Sequence, residues 1–266
     1  MNFKDLGLSA KTIKAISEAG IGTPTTVQAD VIPSVLEGKD VFTIAPAGCG
    51  KTCSYVFPLI DIISQKKAEN ILIITANSEQ SVAVSDRFAV FNKYHEVSES
   101  TLTEDNSNVN SEANVIIASP DLLLDLLKED ENSLANIDVL VVDDINLIKK
   151  LHQLKNLEKI LEILPADKQN IVFTNRRSRE TQDILDKILK TPAEIKVNKD
   201  KESEAVNSET TPKMKAPRIN KKEQETKISE DLSYDVEAVS LMKKYHTFGR
   251  KTPEYLLINA KLADDE

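Results

Sequence analysis

Short apolar runs alternate with longer amphipathic stretches along most of the chain. Several runs are continuous and β-branched, such as Ile-Leu-Ile-Ile and Val-Leu-Val-Val, which is typical of strands buried on both faces. Runs of strand length cover 40–45, 70–75, 114–118, 138–142, 170–174 and 194–197, and helical patterns cover 9–19, 25–36, 51–64, 79–92, 121–128, 145–162 and 178–189. Strands separated by helices predict an α/β fold with a parallel sheet and helices on both faces.

The alternation ends near Val197. From Asn198 to Asp231 the sequence consists mainly of Lys, Glu, Ser, Asn, Thr and Pro, and such a segment buries too little apolar surface to offset its ordering entropy. We therefore predict one globular domain over 1–197 and a low-complexity, largely disordered tail over 198–266. Two amphipathic stretches of the tail, 234–245 and 253–262, are interpreted as transient turns, with docking helices as the less favoured alternative.

Composition narrows the class of protein. The net charge of −9 is unlike that of a protein that holds nucleic acid by bulk electrostatics. Aromatic residues make up 5% of the chain and tryptophan is absent, which disfavours a surface of base-stacking platforms. The two cysteines, Cys49 and Cys53, do not form the framework of a small secreted fold. The sequence has neither a signal-peptide pattern nor an apolar run long enough to span a membrane, so a cytoplasmic location is expected.

Residues 45–52, Ala-Pro-Ala-Gly-Cys-Gly-Lys-Thr, lie between the strand pattern 40–45 and the helical pattern 51–64. This context is typical of a P-loop, in which backbone N–H groups and a helix N-terminus hold phosphate. The strict pattern begins with glycine, where this chain has Ala45. The sequence therefore predicts a nucleotide-binding site of the P-loop type.

Each residue of this loop has an expected role. Lys51 is expected to reach the β- and γ-phosphates, and the Thr52 hydroxyl to bind Mg²⁺. The residues whose backbone is expected to surround the phosphate oxygens are Ala47, Gly48, Cys49 and Gly50. The thiol of Cys49 is interpreted as a small spacer, and a redox role is the alternative because helix N-termini depress thiol pKa values.

The segment before the P-loop resembles the Q motif of DEAD-box RNA helicases. Residues 20–28, Gly-Ile-Gly-Thr-Pro-Thr-Thr-Val-Gln, match its glycine, proline, threonine and final glutamine. Phe3 lies upstream where the family places an isolated aromatic residue. The resemblance implies that Gln28 and Phe3 contact adenine, with Thr23 and Thr25 in support. An amide suits this role because adenine offers a donor beside an acceptor, whereas a plain helix start explains only part of the match.

The resemblance extends to about residue 197 and implies the first RecA-like domain of that family. Asp143-Asp144-Ile145-Asn146 follows a strand where the family has Asp-Glu-Ala-Asp. Asp143 then holds Mg²⁺ through water, and Asn146 keeps a polar contact. Asp144 replaces the glutamate that activates the attacking water and is one methylene shorter. Because small errors of position are costly in catalysis, the expected catalytic set of Lys51, Asp143 and Asp144 predicts weak hydrolysis.

The motifs that face RNA in that family are altered. Thr-Asn-Arg at 174–176 stands for Ser-Ala-Thr, Ser-Pro-Asp-Leu at 119–122 for Thr-Pro-Gly-Arg, and Ala-Asn-Ser-Glu at 76–79 for Pro-Thr-Arg-Glu. Two arginines are lost by these changes, and no paired-glycine motif lies between the last two segments. The basic cluster 176–179 is interpreted as a solvated helix start, with a substitute basic site as the alternative.

These observations predict an ATP-binding, DEAD-box-like helicase domain that uses Mg²⁺, associates with RNA or a ribonucleoprotein, and hydrolyses ATP weakly or with a partner. No second RecA-like domain is expected in this chain, so a protein that supplies it is a predicted partner. The alternative is an ATP-binding pseudoenzyme that serves as a protein-interaction platform. A decaying helicase fragment without a role is a third hypothesis.

Overall fold

A parallel sheet forms the centre of the computed structural model, which describes residues 1–107, 109–110, 112–130 and 132–197. Within these ranges its strands are β1 (Val41–Ile44), β2 (Ile71–Ile74), β3 (Glu99–Thr101), β4 (Val115–Ala118), β5 (Val139–Val142), β6 (Gln169–Thr174) and β7 (Ala193–Lys196). They lie in the order β3-β4-β2-β5-β6-β1-β7, and all neighbours are parallel. The carboxyl ends of all these strands therefore share one edge of the sheet.

Helices cover both faces of this sheet. They are a 3-10 helix (Phe3–Leu6), α1 (Ala10–Glu18), α2 (Thr26–Leu36), α3 (Lys51–Ser64), α4 (Ser78–Phe91), α5 (Pro120–Glu129), α6 (Ile145–Lys150), α7 (Leu154–Ile163) and α8 (Arg179–Ile188). The 3-10 helix and α1–α4 pack on one face, and α5–α8 pack on the other. No helix in the described part of the chain has both the length and the apolar character that a membrane span requires.

Successive strand residues serve opposite layers of the core, as the period of two requires. In β2, Ile71 and Ile73 belong to the α1–α4 layer, whereas Leu72 and Ile74 belong to the α5–α8 layer. Burying each such side chain contributes roughly 1.5–3 kcal/mol. The α/β prediction is confirmed, because the continuous apolar runs are the strands that both helix layers cover.

Two elements differ from the sequence prediction. Strand β3, Glu99–Thr101, was not predicted because it is polar and lies at the sheet edge beside β4. The predicted helix 145–162 is two helices, α6 and α7, because His152 between them adopts a left-handed conformation with φ of 61°. The two amphipathic stretches of the tail, 234–245 and 253–262, lie outside the described residues.

A buried carboxylate ties the N-terminal segment to the sheet domain. Asp61 of α3 is fully buried and accepts from the Ser9 N–H at 2.5 Å, the Ser9 hydroxyl at 2.7 Å and the Thr12 hydroxyl at 2.5 Å. The Thr12 oxygen lies 2.9 Å from Nε2 of His95. Since the Thr12 hydroxyl donates to Asp61, it accepts from His95, whose Nε2 therefore carries a hydrogen.

Acidification is expected to weaken this anchor. Burial lowers the pKa of His95, an effect that Lys11 assists and Asp61 opposes. The unfolded chain therefore takes up a proton that the folded chain resists, so the free energy of unfolding should fall as the pH drops below about 6.5, the ordinary histidine value. Above that value this loss should be absent. Urea denaturation at a series of pH values measures the effect.

His95→Gln keeps an N–H donor for Thr12 and does not titrate, so it should flatten the pH dependence. His152→Gln is the matched control, because it removes an exposed histidine outside this cluster and should leave the dependence unchanged. An equal pH dependence in all three proteins would contradict the role of His95.

Candidate functional site

The carboxyl ends of β5, β6 and β1 lie side by side, because β6 pairs with β5 on one side and with β1 on the other. The loop 45–50 follows β1, Thr174 ends β6, and Asp143 follows β5. The contact continues beyond the strands, since the Ala45 N–H donates to the Thr174 carbonyl at 2.9 Å. Three segments that are distant in sequence therefore meet at one site.

The predicted P-loop has a backbone that its glycines permit. Gly48 and Gly50 adopt φ values of 84° and 85°, which few other residues accept without strain. Helix α3 begins directly afterwards at Lys51, so the orphan N–H groups of its first turn end the loop. The Lys51 ammonium donates to the carbonyls of Ala45 and Pro46 at 3.1 and 3.0 Å. Its charge is thereby held against the loop that is expected to receive phosphate.

The thiol of Cys49 packs inside the loop. Cys49 is 2% exposed, and its Sγ donates to the Pro46 carbonyl at 3.0 Å. One turn later, burial raises the pKa of the Cys53 thiol, which favours the unreactive form. These surroundings fit the spacer interpretation of Cys49 and offer no support for the redox alternative.

The first turn of α2 is hydrogen-bonded to the P-loop backbone. Thr25 caps this helix, and its hydroxyl donates to the Cys49 carbonyl at 2.9 Å. The Gln28 amide closes a capping box with Thr25 and donates to the Gly50 carbonyl at 3.4 Å. Gln28 is 4% exposed. The Q-motif segment and the P-loop are therefore one structural unit, beyond what a plain helix start requires.

The other predicted adenine contacts lie differently. Phe3 is 2% exposed and packs edge-on against Phe57, with ring centroids 5.9 Å apart. The structure thus places this ring in the core, and its contact with adenine stays a prediction. Thr23 is exposed at the start of the segment. Of the residues predicted at the adenine site, Thr25 and Gln28 reach the P-loop through described hydrogen bonds.

The acidic half of the site centres on Asp143. The Tyr55 hydroxyl donates to its Oδ2 at 2.9 Å, and the same hydroxyl lies beside Thr52. Burial raises the pKa of Asp143, while Tyr55 and Lys51 oppose this effect. Burial also raises the pKa of Tyr55 well above its ordinary value. A hydroxyl and a carboxylate thus meet where Mg²⁺, which prefers oxygen ligands, was predicted.

Asp144 has a structural task. It adopts a left-handed conformation, with φ of 59°, and its carboxylate caps α6 by accepting from the Leu147 N–H at 3.3 Å. Asp is a good residue for both requirements. The predicted water-activating carboxylate is therefore partly engaged by its own helix.

Asn146 connects the acidic half to the end of β6. Its amide nitrogen lies 2.7 Å from the Thr174 hydroxyl and 2.6 Å from the Arg176 carbonyl. The Thr174 hydroxyl also donates to the Arg176 carbonyl at 2.8 Å. Asn146 thus keeps the predicted polar contact, and it does so as a donor.

The carboxyl ends of β2, β3 and β4 differ in charge from the part of the site at β1, which carries Lys51. The segments 76–80, 101–105 and 118–122, which follow or end these strands, contain no Lys or Arg. The Ser119 hydroxyl donates to Asp121 at 2.5 Å at the start of α5. The Ser78 hydroxyl, at the start of α4, lowers the pKa of Glu104. Acidic side chains therefore lie where two helix N-termini would attract phosphate.

A family model described as DEAD/DEAH box helicase matches residues 25–184, which is more than half of the chain. The chain belongs to the DEAD/DEAH box helicase family. The match includes the P-loop, the acidic segment after β5 and the end of β6, and it confirms the family that the Q motif indicated.

Relatives of this helicase domain agree with that assignment. The DEAD-box ATP-dependent RNA helicase RhpA of Helicobacter pylori (strain B128) is 29% identical over 203 residues, which cover 74% of this chain and 41% of the relative. The ATP-dependent RNA helicase DeaD of Escherichia coli (strain K12) is 26% identical, with 73% and 32% covered. A crystal structure of a DEAD box protein from Methanococcus jannaschii has a TM-score of 0.70 at 25% identity, and the match covers 74% of this chain and 56% of that one. The RecA-like fold is confirmed, and the chain spans less than half the length of the two curated relatives.

Tyr55 is a site residue of this helicase domain that sequence reasoning missed. It follows Thr52 by three residues on α3, so both side chains lie on one helix face. That spacing was the available signal. Tyr55 is also fully buried, as a core residue of α3 would be.

The contact between Gln28 and the P-loop predicts a difference between two glycines. A Cβ at residue 50 would come within 2.6 Å of the Gln28 amide nitrogen, whereas a Cβ at residue 48 would meet nothing within 4 Å. Both positions share the strain of a positive φ, about 1–2 kcal/mol. Gly50→Ala should therefore lower the free energy of unfolding more than Gly48→Ala, by about 1 kcal/mol for the hydrogen bonds that Gln28 gives up. Urea denaturation measures both losses.

A third variant isolates the cause. In a Gln28→Ala background the 2.6 Å clash is gone and the Thr25 hydroxyl oxygen, 3.2 Å from the added Cβ, remains, so the difference between Gly50→Ala and Gly48→Ala should shrink. Equal losses in the original background would instead show that Gln28 does not press on the loop.

Proposed function

We propose that this chain is an ATP-binding domain of a nucleic-acid-associated helicase, in which hydrolysis is weak or depends on a partner. The observation that carries the proposal is the bonding of Thr25 and Gln28 to the P-loop backbone at Cys49 and Gly50. It places an amide directly beside a phosphate loop. A ligand that joins a base to phosphates fits such an arrangement.

The chemistry of the Gln28 amide favours adenine. Its oxygen accepts from the Thr25 N–H and its nitrogen donates to the Gly50 carbonyl. An amide oxygen has a second lone pair and an amide nitrogen a second hydrogen. These complement the donor and the acceptor that adenine presents side by side.

Mg²⁺ fits the oxygen donors of the acidic half. Thr52 and Asp143 are the residues that would hold it, and the bound ion would neutralise charge on the phosphates. Tyr55 keeps the Asp143 carboxylate in place through its hydrogen bond. Lys51, at the start of α3, adds a second positive charge for the β- and γ-phosphates.

Slow turnover follows from Asp144. This carboxylate is short, and it already accepts from a backbone N–H of α6. A group that must position water therefore has less reach and less freedom than a glutamate. We further propose that a protein partner with a second RecA-like domain raises this turnover.

A second candidate function is an ATP-binding interaction platform without helicase activity, which would also occupy the cytoplasm. The observation that favours it is the acidic character at the ends of β2, β3 and β4, where Glu104 and Asp121 lie beside helix N-termini. Like charges there would repel an RNA backbone. RNA that raises ATP turnover would support the helicase function, whereas flat turnover with intact ATP binding would support the platform.

Nucleotide selectivity tests the site. ATP should raise the melting temperature of the protein more than GTP does, as measured by thermal shift in the presence of Mg²⁺. Lys51→Ala should lose most of this stabilisation, because it removes the charge beside the phosphates. Gln28→Ala should weaken the binding of ATP roughly tenfold, which corresponds to the free energy of one to two hydrogen bonds. The binding of GTP should be unchanged. No stabilisation of the original protein by ATP would refute the proposal, and equal losses for ATP and GTP would refute the adenine contact alone.

Asp144 offers a separate test of hydrolysis. Asp144→Glu should raise the rate of phosphate release by about tenfold or more, because it restores reach, and should lower stability by roughly 1 kcal/mol because glutamate is the poorer cap. Asp144→Asn is the control: it keeps the cap and removes the charge, so it should abolish release. Unchanged release in both variants would show that Asp144 does not act on water.

A further inference from the structure

Arg176 is held between the two halves of the site by its backbone. Its carbonyl accepts from the Asn146 amide at 2.6 Å and from the Thr174 hydroxyl at 2.8 Å. Asn146 lies three residues after Asp143, on the acidic side. These bonds involve no atom of the Arg176 side chain. They fix the backbone of Arg176, and the guanidinium takes no part in them.

The path from Arg176 to Lys51 is short. The Thr174 carbonyl accepts from the Ala45 N–H, and the Ala45 carbonyl accepts from Lys51. Residues 174 and 44 are partners on neighbouring strands, which lie about 4.8 Å apart. The two residues from Thr174 to Arg176 add at most about 7.6 Å to this distance between Cα atoms. The long Arg176 side chain therefore begins close to both the P-loop and the acidic pair.

The neighbouring charges are already paired, and that of Arg176 is not. Arg177 forms an ion pair with Glu194, and Lys149 forms one with Glu180. Among the described residues Arg176 has no carboxylate within 4.0 Å, and it is exposed. A guanidinium in this setting is available to an anion.

We propose that Arg176 contacts the terminal phosphate of ATP and supplies, from within this domain, a cationic group for phosphate transfer. The inference rests on the proposed function and assigns a role at the same site. The planar fork bonds two oxygens of one phosphate. When water attacks the γ-phosphorus and the bond to the β-bridging oxygen breaks, the guanidinium offsets negative charge on the phosphate oxygens and transfers no proton.

The strand order explains why we assign this role to Arg176 and not to Arg177 or Arg179. Strand β6 lies between β1 and β5, so the residues just beyond its end begin between the segments that follow β1 and β5, which are the phosphate loop and Asp143. Arg177 is drawn toward β7 by Glu194 and lies over the ring of Phe42 on β1. Arg179 begins α8 and is three residues further from the strand end than Arg176.

The contact predicts discrimination between ATP and ADP. Calorimetric titration of the 266-residue protein with Mg²⁺ and either ADP or the non-hydrolysable β,γ-imido analogue of ATP measures it. Arg176→Ala should lower the affinity for the analogue roughly tenfold to a hundredfold, as expected for a charged hydrogen-bond pair. The affinity for ADP should change less than about twofold. Arg176→Lys should recover part of the loss, because it restores charge without the fork.

The matched control is Arg179→Ala, which removes an exposed arginine near the same loop and should change neither affinity. Since Arg176 is fixed through its carbonyl, Arg176→Ala should keep the melting temperature of the nucleotide-free protein, and this is checked first. Equal weakening of ADP and the analogue, or no weakening of either, would overturn the role of Arg176. If the original protein binds neither nucleotide, the proposed function itself fails, and that outcome is distinct.

Discussion

The pairing of β6 with β1 is the constraint on which the site depends. The carbonyl of Thr174, at the end of β6, accepts from the Ala45 N–H, and the Thr174 hydroxyl oxygen accepts from the Asn146 amide. One residue therefore connects the phosphate loop to the acidic segment. A slip of one residue in this pairing would turn Phe173 and its neighbours to the opposite layers and would separate the two halves. The register of β6 against β1 that packs the core is therefore also the register that brings the two halves of the site together.

The N-terminal segment is attached by apolar packing and by two buried polar contacts. It adds no strand to the sheet, its apolar side chains pack in the α1–α4 layer of the core, and Asp61 beneath α1 and Gln28 beside Gly50 supply the polar contacts. Leaving such a group without its partner costs about 1–3 kcal/mol, so the attachment is specific and is sensitive to small shifts. A change of the P-loop backbone at Gly50 is therefore felt by Gln28.

The sequence contained most of the fold and part of the site. Continuous β-branched runs predict β2, β4 and β5 well, because only strands covered on both faces tolerate them. The polar edge strand β3 has no such run, and the break at His152 depends on one left-handed residue inside an apolar pattern. Motif spacing found Lys51, Thr52 and Asp143, whose neighbours follow from strand order. The burial of Phe3 and the capping by Asp144 were not predictable, since each is decided by tertiary packing rather than by the local sequence.

Charge divides the carboxyl edge of the sheet into two halves with different capacities. The ends of β1 and β6 carry the cations Lys51 and Arg176, whereas the ends of β2, β3 and β4 carry Glu104 and Asp121 without a basic residue in the adjoining segments. Exposed charges act over roughly 8–10 Å at physiological salt. An extended phosphate backbone along this edge would meet the acidic half, whereas a compact nucleotide at the ends of β1 and β6 meets the cations first. The acidic character of the second half is therefore compatible with nucleotide binding at the first half.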